Sequence, residues 1–155
     1  THLNHTSRDH SRTTMQWSSG TKGGFSNGNN NWFLSNPNHD RINVENDLNN
    51  EDSIFHFYRK LLQIRKQSKD LIYGDYLDLD PNHQNIFMYQ RVGLKTTYLM
   101  ILNMSDSSIN YNFDNLMEYS LEFSNRNTKP RISSKHIELL AWDALMFKKI
   151  KYYDK

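Results

Sequence analysis

The sequence predicts an α+β chain in which an aromatic-rich segment and one long helix precede an antiparallel β-sandwich. Three observations carry that expectation. Apolar residues recur at helical spacing between residues 50 and 68. From about residue 71 the apolar period changes to two. Beyond that point, clusters of Gly, Pro, Asn, Asp and Ser separate a series of short β-prone runs.

Residues 1–50 show little periodicity and are rich in Asn, Gly and Ser, yet they hold Trp17, Phe25, Trp32 and Phe33. A flexible linker has no use for such rings, so a long ordered loop whose aromatics pack against a neighbouring body is expected. In the helix at 50–68, Asn50 is the expected N-cap, and Glu51 and Asp52 sit where the helix dipole favours negative charge. Ile54, Phe55, Tyr58, Leu61 and Leu62 share one face, which Phe57 and Ile64 widen. A face that wide calls for a large partner surface. Strands are expected at 76–80, 85–91, 95–103, 109–113, 117–123, 135–140 and 144–150. Ile86, Met88 and Gln90 alternate with Phe87, Tyr89 and Arg91, as a sheet with one buried face requires.

Composition narrows the function. The 155 residues suffice for one domain with its own core, and an aromatic share of 13% argues against disorder. No apolar run reaches the length of a membrane span, and no secretory signal pattern opens the chain. The net charge of +2 points to no polyanionic partner, so neither a nucleic acid nor a membrane is expected. The KKIK run at 148–151 reads as a solvated strand end. There is no cysteine, which excludes disulfides and thiolate chemistry and fits a cytoplasmic protein. Two glycosylation sequons, at Asn4 and Asn103, arise readily in an Asn-rich chain. The seven histidines are scattered without metal-motif spacing, so no metal and no cofactor is expected.

The first 70 residues cannot bury one another as the later strands can, and the chain starts at Thr1 rather than Met. Both features suggest the C-terminal portion of a larger protein. The motifs then become specific. SRDHSRTTMQW at 7–17 resembles the SRDxxRTPMQW segment of alpha-glucosidases in the alpha-amylase superfamily. GGF at 23–25, NNWFLSNPNHDRINVE at 30–45 and DSIFHFYRKLLQIRK at 52–66 are similar to later stretches of that family's barrel. LIYGDYLDL at 71–79 resembles the entry to its C-terminal domain, and LLAWDALMFK at 139–148 its closing strand. The likeness runs collinearly over nearly the whole chain. It implies that residues 1–70 are the incomplete tail of a catalytic (β/α)8 barrel and residues 71–155 an antiparallel β-sandwich. A full barrel takes about 250 residues, so the N-terminal barrel portion would be a partner this chain lacks.

The resemblance also implies roles. The arginine matching Arg12 lies at the floor of the family's pocket for a terminal glucose, paired with an upstream barrel aspartate. A guanidinium suits that place because its planar fork of donors can hold a carboxylate while addressing sugar hydroxyls. The alternative for Arg12 is a structural salt bridge between barrel loops. Asp9 either braces Arg12 or accepts from backbone donors. His10 either faces the pocket or is a packing residue. Gln16 and Trp17 look like anchors, and Trp32 either lines the rim or packs. Retaining hydrolysis needs two carboxyl groups about 5–5.5 Å apart. The family's catalytic carboxylates lie upstream of this motif, so no catalytic residue is assigned. Asp40, Glu45, Glu51 and Asp52 flank a helix start and fit capping better.

The function implied is a retaining, exo-acting alpha-glucosidase that acts on oligosaccharides, releasing terminal glucose from short alpha-glucans such as isomalto-oligosaccharides. This portion would be inactive alone. The alternatives are a trehalose-6-phosphate hydrolase, or a non-catalytic carbohydrate-binding or scaffolding sandwich. Two positions depart from the family pattern: Thr14 stands where Pro is usual, and so does Ala141.

Overall fold

A strand with one face in solvent alternates apolar and polar residues, but residues 97–101 read TYLMI. The computed structural model, which describes residues 12–29 and 33–151, accounts for this run. It is the middle of β3 (Thr96–Asn103), a strand buried on both faces. The other strands are β1 (Asp75–Asp78), β2 (Ile86–Val92), β4 (Ile109–Asn112), β5 (Ser120–Ser124), β6 (Arg131–Ile132), β7 (His136–Leu139) and β8 (Ala144–Ile150). They form a five-stranded sheet in the order β1-β2-β3-β8-β5 and a three-stranded sheet in the order β4-β7-β6. Every pairing is antiparallel. Three helices precede them: α1 (Val44–Asn49), α2 (Ile54–Gln67) and α3 (Lys69–Tyr73). The chain divides into two compact units, Thr1–Leu61 and Leu62–Lys155, with the division inside α2.

In the second unit, β3 separates two apolar clusters. On one face Leu99 and Ile101 join Ile86, Met88, Leu145 and Phe147 of the same sheet and meet Ile137 and Leu139 of the other sheet. On the opposite face Tyr98 and Met100 pack with Leu71 of α3, and Ile64, Tyr89 and Met146 lie against them. Truncating a fully buried side chain such as Leu99 or Phe147 costs about 2–5 kcal/mol, so this double cluster dominates the unit's stability.

Polar contacts hold α3 against the sheet. The Ser68 hydroxyl caps it by accepting the Leu71 N–H at 3.3 Å. Asp70 reaches the β2–β3 turn, where its carboxylate accepts the N–H groups of Leu94, Lys95 and Thr96 at 3.1, 3.2 and 2.8 Å. Arg65 and Arg91 donate to Leu71 O and Ile72 O, each at 3.0 Å. The approach demands glycine at position 93, because a Cβ there would lie 2.1 Å from Asp70 Cβ.

The two sheets are also joined by polar groups. Tyr111 of β4 donates its hydroxyl to Asp80 Oδ2 at 2.7 Å. Asn103 is 1% exposed, and its amide nitrogen donates to Ser107 O and Leu140 O at 2.7 and 2.9 Å. An amide that buried and occupied is no glycan acceptor, which rules out the second sequon; Asn4 lies outside the described residues. The KKIK lysines serve the sheet: Lys148 pairs with Glu122 at 2.6 Å, Lys149 with Glu118, and Lys151 donates to Gly93 O.

Several boundaries differ from expectation. α2 starts at Ile54 rather than near 50, since Ser53 supplies the local cap, its hydroxyl accepting the His56 N–H at 3.4 Å. Asn50 instead ends α1, its N–H bonded to Asp47 O. That short helix went unread because VENDLN carries too few apolar residues to set a period. The strand expected from 117 begins at Ser120, because Leu116–Glu118 form a 3₁₀ turn that sends Leu116 into the core. β6, only two residues long, was too short to read. The aromatic loop also differs from expectation. The rings of Trp17 and Phe25 are half exposed, so ring burial within this chain does not hold it. No residue of α2 is fully buried, and Ile54 is 75% exposed.

Asp70→Ala should lower the unfolding free energy by about 2–4 kcal/mol, with Asp70→Asn losing less because it keeps one acceptor oxygen; urea titration measures both. A second outcome concerns pH. Burial first, and the bond to Asp80 second, push the Tyr111 hydroxyl up from 10.0 to about 12. The folded chain then keeps a proton that the unfolded chain releases. This contribution is whole below pH 10 and is lost as pH rises toward about 12. Tyr111→Phe should therefore flatten the fall in melting temperature over that alkaline window.

Candidate functional site

Residues 12–17, RTTMQW, have no regular secondary structure, so their backbone groups must find partners elsewhere. They find them on three sides. Thr14 N–H donates to Leu34 O at 3.4 Å. The N–H groups of Trp17 and Ser18 both donate to Gly23 O, at 2.7 and 3.1 Å. Gln16 O and Trp17 O accept from Val44 and Glu45, each at 3.0 Å. Those last two donors open α1 and have no partner inside their own helix, so the segment and the helix end complete each other.

The neighbouring turns are shaped to receive it. Lys22, Gly23 and Gly24 all have positive φ, at 57°, 65° and 66°, which turns Gly23 O toward the two donors. Gly23 is buried, and a Cβ there would sit 3.5 Å from Gln16 Cα. Lys22 Nζ donates to Gly28 O and closes this turn. On the other side, Asn36 caps the 3₁₀ turn Pro37–Asp40, and Asn43 caps α1 by accepting the Asn46 N–H at 2.8 Å. The Gln16 amide spans both elements, donating to Asn38 Oδ1 at 2.9 Å and to Ile42 O at 2.5 Å.

The expected site residues divide accordingly. Arg12 is solvent-exposed at the head of the pinned segment, and among the described residues it forms no ion pair. Gln16 is tied down by its side chain. Trp17 is tied down by its backbone, with its indole 51% exposed. Asp9, His10 and Trp32 lie outside the described residues. Thr14 is buried, and its hydroxyl meets Ser35 Oγ at 3.0 Å. The N–H that a proline would lack is thus used, which explains why threonine is tolerated here.

Glu45 lies in the first turn of α1, and Asp40 pairs with Arg41 at 3.8 Å on the surface, both ordinary places for helix-end carboxylates. Beside the segment, Met15, Ile42, Ile54 and Tyr58 line an open cavity of about 600 Å³. Among the described residues, no group of three or more His, Asp or Glu side chains gathers as a metal site. Sequence reasoning missed three supports: Gly23, Asn38 and Asn43. The Gly-Gly pair, the Asn-Pro-Asn run and the Asn preceding Val-Glu-Asn were the readable signals for them.

The comparisons with known proteins agree with this arrangement. The family described as "Alpha amylase, catalytic domain" matches residues 1–74. A glucan 1,6-alpha-glucosidase of Streptococcus dysgalactiae subsp. equisimilis is 37% identical over 141 residues, covering 91% of this chain and 26% of the relative. A trehalose-6-phosphate hydrolase of Escherichia coli is 43% identical over 99 residues, covering 64% of this chain and 18% of the relative. Among solved structures, isomaltulose synthase of a Klebsiella species superposes with a TM-score of 0.77 at 30% identity, covering 94% of this chain and 26% of that one. The chain therefore spans about a quarter of the length of the first relative.

Gly23→Ala should lower stability by about 1–2 kcal/mol through its left-handed φ, and Gly23→Asn by less. Thermal melting followed by Trp17 fluorescence would register the loss of the segment's anchorage.

Proposed function

The chain belongs to the alpha-amylase family, and from that premise we propose that it is part of a retaining, exo-acting alpha-glucosidase. Its substrates are short alpha-glucans such as isomalto-oligosaccharides, from which it releases the terminal glucose in the cytoplasm. The observation that carries this reading is the anchorage of residues 14–17 on three sides, which delivers Arg12 at the end of a rigid backbone. A pocket that admits only a chain end needs a fixed wall, and a charged planar donor makes one when its Cα cannot drift.

In this reading Arg12 pairs with a carboxylate outside these 155 residues, and together they address the hydroxyls of the terminal sugar. The nucleophile and the acid/base also lie outside, which leaves this chain with binding and support and no bond-breaking group. Residues 1–70 act as barrel tail and 71–155 as the sandwich domain. Gln16 and Trp17 act as supports; Asp9, His10 and Trp32 are candidates for the same wall. The 1,6-linkage preference follows the name of the streptococcal relative. The relative in E. coli supports trehalose-6-phosphate hydrolase as the second reading, and parallel assays on isomaltose and trehalose 6-phosphate separate the two.

In the full-length enzyme, Arg12→Lys should lower kcat/KM for isomaltose by about 100-fold or more while leaving the melting temperature unchanged. Wild-type kinetics in that variant would remove Arg12 from the sugar pocket.

A further inference from the structure

The β7–β8 turn holds a bulky residue in a conformation that bulky residues avoid. Trp142 has φ 61°, yet its side chain is 57% exposed. Strain of this kind persists only where the surroundings over-determine it. Here they do: Trp142 N–H donates to Ser105 O at 3.1 Å, and Trp142 O accepts from Asn125 Nδ2 at 2.8 Å. Asn125 Oδ1 in turn accepts the Ala144 N–H at 2.9 Å. The fold therefore spends strain to hold an indole at the surface rather than in a core.

A cavity of about 250 Å³ opens beside this turn, between it and the loop that joins β5 to β6. Two ion pairs form its walls. Arg126 is bonded to Asp143, whose side chain is 5% exposed, and also donates to Ala141 O. Arg131 pairs with Glu138 at 3.2 Å. Leu145 and Pro130 supply apolar surface to the same lining. The pairs neutralise each other, so the lining favours no strong anion. It offers donors and acceptors side by side over an apolar base, and a sugar ring presents the matching set: hydroxyls that both donate and accept, and apolar C–H faces. The volume is of the order of one hexose unit.

We propose that this cavity and Trp142 form a second, non-catalytic saccharide site in the sheet unit, taking one glucosyl unit of an alpha-glucan. The choice of alpha-glucan rests on the function proposed above; the site itself rests on the cavity and the strained indole. Arg126 and Asp143 provide the hydrogen-bonding wall, and Trp142 provides an aromatic platform at the turn. Such a site would retain a glucan chain on the protein between cleavage events.

The test is a titration of the chain with isomaltose, followed through the backbone amide resonances of residues 124–131 and 138–145. Saturable shifts confined to those residues are the expected result. Trp142→Gly relieves the positive φ, so it should keep the fold and the melting temperature while weakening binding by about tenfold or more. Lys129→Ala, on the exposed loop, should leave the fold intact and change binding only modestly. Arg12→Lys should not alter these shifts, so failure here and failure of the glucosidase reading are separable. No saturable shift with isomaltose, shifts with inorganic phosphate alone, or undiminished binding by Trp142→Gly would each overturn the proposal.

Discussion

One carboxylate holds the second unit together. Asp70 accepts three consecutive backbone N–H groups at the β2–β3 turn, and through them α3 is fixed to the sheet. Charged acceptors of this kind are stronger than neutral ones, and leaving their donors unpaired is costly. The consequence reaches the interior. With α3 seated, Leu71 covers Tyr98 and Met100, and β3 becomes a strand with no solvent face. Gly93 and Asp70 depend on each other, since any side chain at 93 would collide with the carboxylate's own Cβ.

The first unit is organised on a different principle. Its loop has few buried side chains, and its order comes from backbone bonds and amides. Gly23 O receives two donors, α1 lends its unpaired N–H groups, and the Gln16 amide ties two turns together. Such a network resists small displacements, because each bond fixes a direction as well as a distance. That is the property a binding arginine needs from its support. It also explains why Thr14 can stand where the family has proline: the extra N–H has an acceptor and the hydroxyl has a partner.

The two candidate sites place their recognition groups differently. Arg12 is carried on a pinned loop with its counter-charge outside these residues. Arg126 and Arg131 are already neutralised by Asp143 and Glu138. An unneutralised guanidinium suits a pocket where charge is completed by another segment; a neutralised one suits weak recognition of an uncharged sugar.

The α+β class, the period-two pattern beyond residue 71 and the identity of the RTTMQW segment were legible in the sequence. Side-chain periodicity and motif spacing are local properties, and residues such as Ile86 and Met88 announce their face by position alone. Helix starts were less legible, because Asn50, Asn43 and Ser53 are all competent caps and only the surrounding contacts choose among them. The carboxylate bond of Asp70, the left-handed turn behind Gln16 and the cavity beside Trp142 were decided by tertiary structure. Each joins residues far apart in the chain, 24 to 26 positions for Asp70, and no local pattern records which distant groups the fold brings within hydrogen-bond reach.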